Sequence, residues 1–271
     1  MIKILGQINL ENLPQEKPKF NFEKYKGFLQ EKMSALAERV NKEHGEILNA
    51  DGSIKVSNQD DLALIKAQEE AWASETGIGR EAWLEKKESN KAEMTEKVIT
   101  LVLDKMLGDD FVVVRASSFD DYNNGVDNVI LDKRTGQVVC GFDDVISRDG
   151  ENGSEKKAEK VKRVMAKGGA KLKYGLDLKG DGSIETGQLK NLPAFYLALS
   201  KDDLASALKV LENNGSVSDF QELGSKLLLS LDDQIKNVDR DDLDNDLLFN
   251  LSEFEHSLFE IKQSFLSKLE K

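Results

Sequence analysis

The sequence predicts a mixed α/β domain, a central mixed sheet flanked by helices, with helical N- and C-terminal extensions. Three observations carry this. FVVVRAS (111–117) is a continuous β-branched run of the kind that forms a buried strand. Two further apolar runs, GVDNVIL (125–131) and QVVCGFDDVI (137–146), are joined by the turn sequence DKRTG (132–136) and read as a hairpin. Stripes at helical spacing bracket the strands: Met94, Val98, Leu101, Val102 and Met106 before them, and Val161, Val164 and Met165 after them.

In chain order, residues 1–20 hold Pro14 and Pro18 and read as an extended arm. Phe22, Tyr25, Phe28, Leu29, Met33, Leu36 and Val40 then recur as on one helix, which a turn at 49–53 follows. A second helix is expected over 59–74. After the Gly77-Ile78-Gly79 break, a helical run carrying Trp83 and Leu84 leads into residues 91–107, with Gly108 as a left-handed cap. Beyond the hairpin come a helix over 154–167, strands over 171–178 and 193–199, and a helix over 201–211. Two apolar stripes, 220–235 and 247–269, close the chain around an acidic link at 239–246. The division is therefore a helical N-terminal extension (1–90), an α/β core (91–213) and a C-terminal helical hairpin (214–271). That hairpin either packs on its own domain, the simpler outcome for an amphipathic stripe, or serves as a partner-binding arm.

Composition narrows the function. Charged residues make up 32% of the 271, and the net charge of −12 repels phosphate from the surface as a whole. A nucleic-acid contact therefore needs a local basic patch. One cysteine, Cys140, allows no disulfide within the chain, and two histidines in unrelated contexts make a histidine-based site improbable. No signal-peptide core or membrane-spanning window is visible, so the expectation is a cytoplasmic protein with no membrane partner.

Strand parity singles out the acids. Asp127 shares a face with Gly125, Val129 and Leu131, a costly place for a charge unless something pairs with it. Asp143 shares a face with Val139, Gly141 and Val145, while Asp144 lies on the other. A hairpin through 132–136 brings Asp127 and the Asp143–Asp144 pair to one end of the sheet. Carboxylates converging there would bind a hard divalent cation such as Mg2+ through oxygen. Residues 155–173 hold eight basic residues against two acidic ones, with Lys156, Lys160, Arg163 and Lys167 at helical spacing. That stripe is either a phosphate-contacting surface or an ordinary solvated face.

The order helix, strand, Asp-bearing strand, acid-bearing strand, basic helix, strand resembles the PD-(D/E)xK, restriction-endonuclease-like nuclease superfamily. The wording DDYNNGVDNVILD, VVCGFDDVI and KAEKVKRVMAKGGAKLKYG carries the resemblance, which covers about residues 92–200. It implies a Mg2+- or Mn2+-dependent nuclease acting on DNA or RNA. Asp127 would be the metal-binding aspartate and Asp143 the acid of the (D/E)xK element. Asp144 and Asp121 would be auxiliary ligands, and Glu93 or Glu96 the acid from the first helix. The chain departs from the pattern at Val145, where the family places its lysine. Lys156, Lys157 or Lys160 of the following helix would then supply the cation, with Lys160, Arg163 and Lys167 contacting nucleic acid. The alternative is a non-enzymatic interaction module that uses its terminal helices as arms. The segment 177–188 echoes a calcium loop but lacks two ligands and reads as a β-turn.

Overall fold

The computed structural model describes residues 23–147 and 153–269. The arm expected over 1–20, and Phe22 at the head of the first stripe, lie outside them. After a 3-10 turn come four helices: α1 (Lys26–His44), α2 (Gln59–Glu75), α3 (Arg80–Glu88) and α4 (Lys91–Leu107). Then follow β1 (Phe111–Arg115), α5 (Ser118–Asn124), β2 (Asn128–Asp132), β3 (Gln137–Ser147) and α6 (Gly153–Ala166). The hairpin β4 (Ala170–Leu178) and β5 (Ile184–Leu192) precedes β6 (Ala194–Ser200), α7 (Lys201–Glu212), α8 (Gln221–Lys236) and α9 (Asn245–Leu269).

The six strands form one mixed sheet with helices packed against it, the fold class the patterning predicts. Strands β1 to β5 lie in sequence order, each antiparallel to the next, and β6 runs parallel to β3. β3 is the spine. Gln137 at its start pairs with β4, and 141–147 pair with β6 across the crossover that contains α6. Every residue of β1 and β2 is buried, which is why those runs are continuous rather than alternating.

The structure corrects several expectations. The second strand does not start at Gly125. Ser117 caps a short helix by accepting the Asp120 N–H, and Gly125 closes it in the left-handed region at φ 65°. β2 begins only at Asn128. Strand β5 carries little apolar signal because most of its residues are exposed, and its ladder with β4 holds it in place. α3 and α4 are separate helices, parted at Ser89 and Asn90, where the Asn90 side chain caps α4. Gly108 ends α4 at φ −57°, not in the left-handed region.

The apolar residues form one contiguous core that runs from Tyr25 in the first turn to Phe265 in α9. The C-terminal stripe is part of it: Leu247, Leu251, Phe254, Leu258, Ile261 and Phe265 are buried, and Phe254 stacks on Phe195 of β6 at 4.8 Å. Each such side chain contributes about 1.5–3 kcal/mol of burial. Cys140 is buried in β3 and unpaired. Among the described residues no helix is long and apolar enough to cross a membrane.

Candidate functional site

The site lies at the end of the sheet where β1, β2 and β3 meet the first turns of α4. Glu93 and Glu96 stand three apart on α4 and so face the same way. They receive Arg115, the charged terminus of β1: its Nη1 is 2.7 Å from Glu93 and its Nη2 is 2.8 Å from Glu96. Lys97 adds a contact to Glu93 at 3.5 Å. Burial pushes the Glu93 carboxyl up, but Arg115, Lys87 and Lys97 outweigh it and bring its pKa down to about 2. Glu96 goes the other way. Burial, with the charges of Glu93 and Asp121, outweighs Arg115 and raises it to about 7.

The register of β2 on β3 pairs Asn128 with Phe142, so the preceding residue, Asp127, lies opposite Asp143. Asp127 donates its N–H to Phe142 O, accepts the Ala116 N–H on its carbonyl, and accepts the Asp144 N–H at 2.6 Å on its carboxylate. Asp144 leaves β3 on the face opposite Asp143, beside Asn128, and the Asp127 carboxylate, which precedes the β2 ladder, turns toward it. There the Asn128 amide donates to Asp144 Oδ2, and the Thr100 hydroxyl lies 2.6 Å from Asn128 Oδ1. The Asp144 Oδ1 atom is buried with no hydrogen-bond partner. No described lysine, arginine or histidine pairs with Asp127 or Asp144. Both carboxyls are pushed well above the usual range, first by burial and then by neighbouring acids: Glu96 and Asp143 for Asp127, and Asp127 and Glu96 for Asp144.

Asp143 is treated differently. Its Oδ1 meets the Lys157 ammonium and its Oδ2 the Lys160 ammonium, both from α6. The lysines thus reach the site from the helix after β3, while Val145 holds the position two residues beyond Asp143. Gly125 makes room for one of them, since a Cβ there would lie 2.6 Å from Lys160 Nζ. Lys156 and Arg163 of α6, and Lys167 just beyond its end, are exposed.

A polar cleft of about 170 Å³ opens beside this cluster, lined by Asp51, Glu93, Arg115, Asp121, Tyr122 and Asp127, with Leu84, Lys87 and Glu88 of α3 across its mouth. Asp121, on α5, contacts Lys87 at 3.4 Å, and burial raises its pKa. The neighbouring Asp120 is structural. Fully buried, it accepts the Lys173 and Tyr174 N–H groups and ties α5 to β4. A larger cavity, about 1150 Å³, lies elsewhere, between α6, β6 and α8.

The two acids from α4, the Asp127–Asp143 opposition and the α6 lysines all come together around the sheet end. Lys156 and the outer basic stripe do not enter the cleft. Sequence reasoning missed Arg115, Asn128 and Lys87. Arg115 closing an apolar strand, and Asn128 inside one, are polar residues in buried runs and could have been flagged. Lys87 leaves no comparable trace. Among the described residues no three His, Cys, Asp or Glu side chains are grouped as they would be around a metal ion. No protein-family model, curated protein or solved structure matches the chain.

Proposed function

We propose that the protein is a divalent-cation-dependent phosphodiesterase acting on nucleic acid, with Asp127 and Asp144 as the cation-binding carboxylates. The observation that carries this reading is the orphaned Asp144 Oδ1 beside Asp127, two buried acids served by neutral donors alone among the described residues. Mg2+ commonly takes one or two protein carboxylates and completes its shell with water and phosphate oxygens, so this donor pair fits it, or Mn2+, without a third ligand in place. Bound there, the ion would activate water and offset charge on a phosphate. The chain's own contribution is positional. Asp143 holds Lys157 and Lys160 at the site, where their ammoniums can donate to non-bridging phosphate oxygens. Lys156, Arg163 and Lys167 extend the positive flank along α6, in a protein that otherwise repels phosphate. The order α4, β1, β2, β3, α6, with β6 parallel to β3, supports the resemblance to PD-(D/E)xK nucleases, the β4–β5 hairpin being inserted before the last strand.

The test is cleavage of single- and double-stranded DNA and RNA with Mg2+ or Mn2+. Wild type is expected to cut at least one of them, with Asp127→Ala and Asp144→Asn slower by roughly 100-fold or more. No cleavage by wild type in any combination sinks the reading. A second reading, an interaction module without catalysis, is favoured by the groove between α6 and α8, on whose wall Leu229 is 62% exposed. It predicts that Asp127→Ala leaves the protein's activity in the cell unchanged while Leu229→Glu abolishes it.

A further inference from the structure

Lys87 has no role in the reading above. It belongs to α3, a helix with no buried residue. Its ammonium lies 3.1 Å from the Tyr122 hydroxyl, 3.4 Å from Asp121 and 3.7 Å from Glu93 Oε2, and 4.4 Å from the centre of the Tyr122 ring. Glu93 Oε2 is buried and makes no hydrogen bond, since 3.7 Å is beyond hydrogen-bond reach. A buried carboxylate oxygen thus lines the cleft side of α4 with the Lys87 ammonium in front of it, beyond hydrogen-bond distance.

The attachment of α3 is correspondingly slight. Two glycines precede it, Gly77 at φ 72° and Gly79, and no atom crowds either position. Ser89 and Asn90 break the chain on its far side. Between these points side chains do much of the holding: Trp83 against Trp72 at 5.7 Å, Arg80 to Glu69 at 2.6 Å, the half-exposed Lys26–Glu88 pair at 3.4 Å, and Lys87 in the cleft. A helix with no buried residue and few anchors belongs to the low-stability end of a structure.

We propose that α3 is a lid over the carboxylate cleft and that Lys87 is its pin, a tethered cation that holds the acidic mouth until a divalent cation displaces it. The proposal rests on the reading of Asp127 and Asp144 as a cation site. The exchange is electrostatically sound. An ammonium at 3.4–3.7 Å brings one charge to Asp121 and Glu93, whereas Mg2+ brings two and approaches carboxylate oxygen to about 2.0–2.1 Å. The released lysine regains its hydration, and with the pin withdrawn α3 keeps the Trp72–Trp83 contact and the Arg80–Glu69 pair to α2 but loses its tie to α4 and α5.

The chain has two tryptophans, and both sit at that contact, so intrinsic fluorescence reads the lid directly. Mg2+ titrations of wild type are expected to shift tryptophan emission. Lys87→Gln and Lys87→Met, which keep the stem, should bind Mn2+ about fivefold tighter by its free-ion electron paramagnetic resonance signal, the change expected from loss of one partly exposed ion pair. Lys87→Arg should bind as wild type does, and serves as the control if either neutral variant loses thermal stability. Equal or weaker Mn2+ binding by the neutral variants overturns the lid and leaves the cation site standing. Absence of Mn2+ binding by wild type and by every variant overturns both.

Discussion

Glu93 and Asp144 are buried alike, at 5% and 7% exposure, and sit in the same cluster, yet the fold treats them oppositely. Glu93 meets Arg115, Lys97 and Lys87, and its pKa falls to about 2. Asp144 meets an asparagine amide, and its neighbour Asp127 a backbone N–H; both are pushed up. Glu96 stands between the two regimes. It touches Arg115 at 2.8 Å and is nonetheless raised to about 7. The charge on Glu93 is met by fixed cations. Asp127, which lines the cleft, and Asp144 meet none, and they mark a place where the protein carries a cost a bound cation would remove.

The sharpest way to break this contrast is to remove the cation from the neutralised half. Arg115→Met should strand Glu93 and Glu96 and cost about 3–5 kcal/mol in urea unfolding at pH 7. A loss below about 1 kcal/mol would mean the two halves are not distinct. A smaller effect separates the halves by pH. Glu93 is depressed in the folded protein, so its contribution is present above about pH 4.5 and fades as pH falls towards 2. Glu96 is raised, so its contribution is full below about 4.5 and is lost as pH climbs through 7. Glu96→Gln should therefore flatten the fall in stability between about pH 4.5 and 7, by at most about 3 kcal/mol, and leave the limb below about 4.5 alone. An unchanged slope between those values would contradict the assignment. The smallest effect concerns Asp143. Its two lysines are 28% and 46% exposed, so Lys157→Ala or Lys160→Ala alone should cost under about 1 kcal/mol, since the other stays in place. A double-mutant cycle is expected to give the pair a larger loss than the sum of the singles.

The fold was legible where period and burial agreed. Strand β1, the β2–β3 hairpin and helices α4 and α6 follow from β-branched runs and apolar stripes. What failed was local. The Ser117 cap opened α5 over 118–124, and its left-handed stop at Gly125 delays the expected strand to Asn128; β5 exists because β4 pairs with it, not because its own residues alternate. At the site, parity put Asp143 and Asp144 on opposite faces of β3 with Asp127 at the same end of the sheet, and the structure keeps that arrangement while turning the Asp127 carboxylate onto the Asp144 N–H. It could not tell that Asp143 would be tied to Lys157 and Lys160 while Asp144 kept an oxygen without a partner.

By itself, then, the sequence determined which segments become strands and helices and which face each acid takes, because both follow from periods of two and 3.6 residues. Only the tertiary structure decided which acids are neutralised. Arg115 reaches Glu93 across 22 positions of chain, Lys157 reaches Asp143 from the helix beyond β3, and Lys87 of α3 reaches the cleft. Charge pairing depends on distance through space, and no periodicity along the chain encodes it.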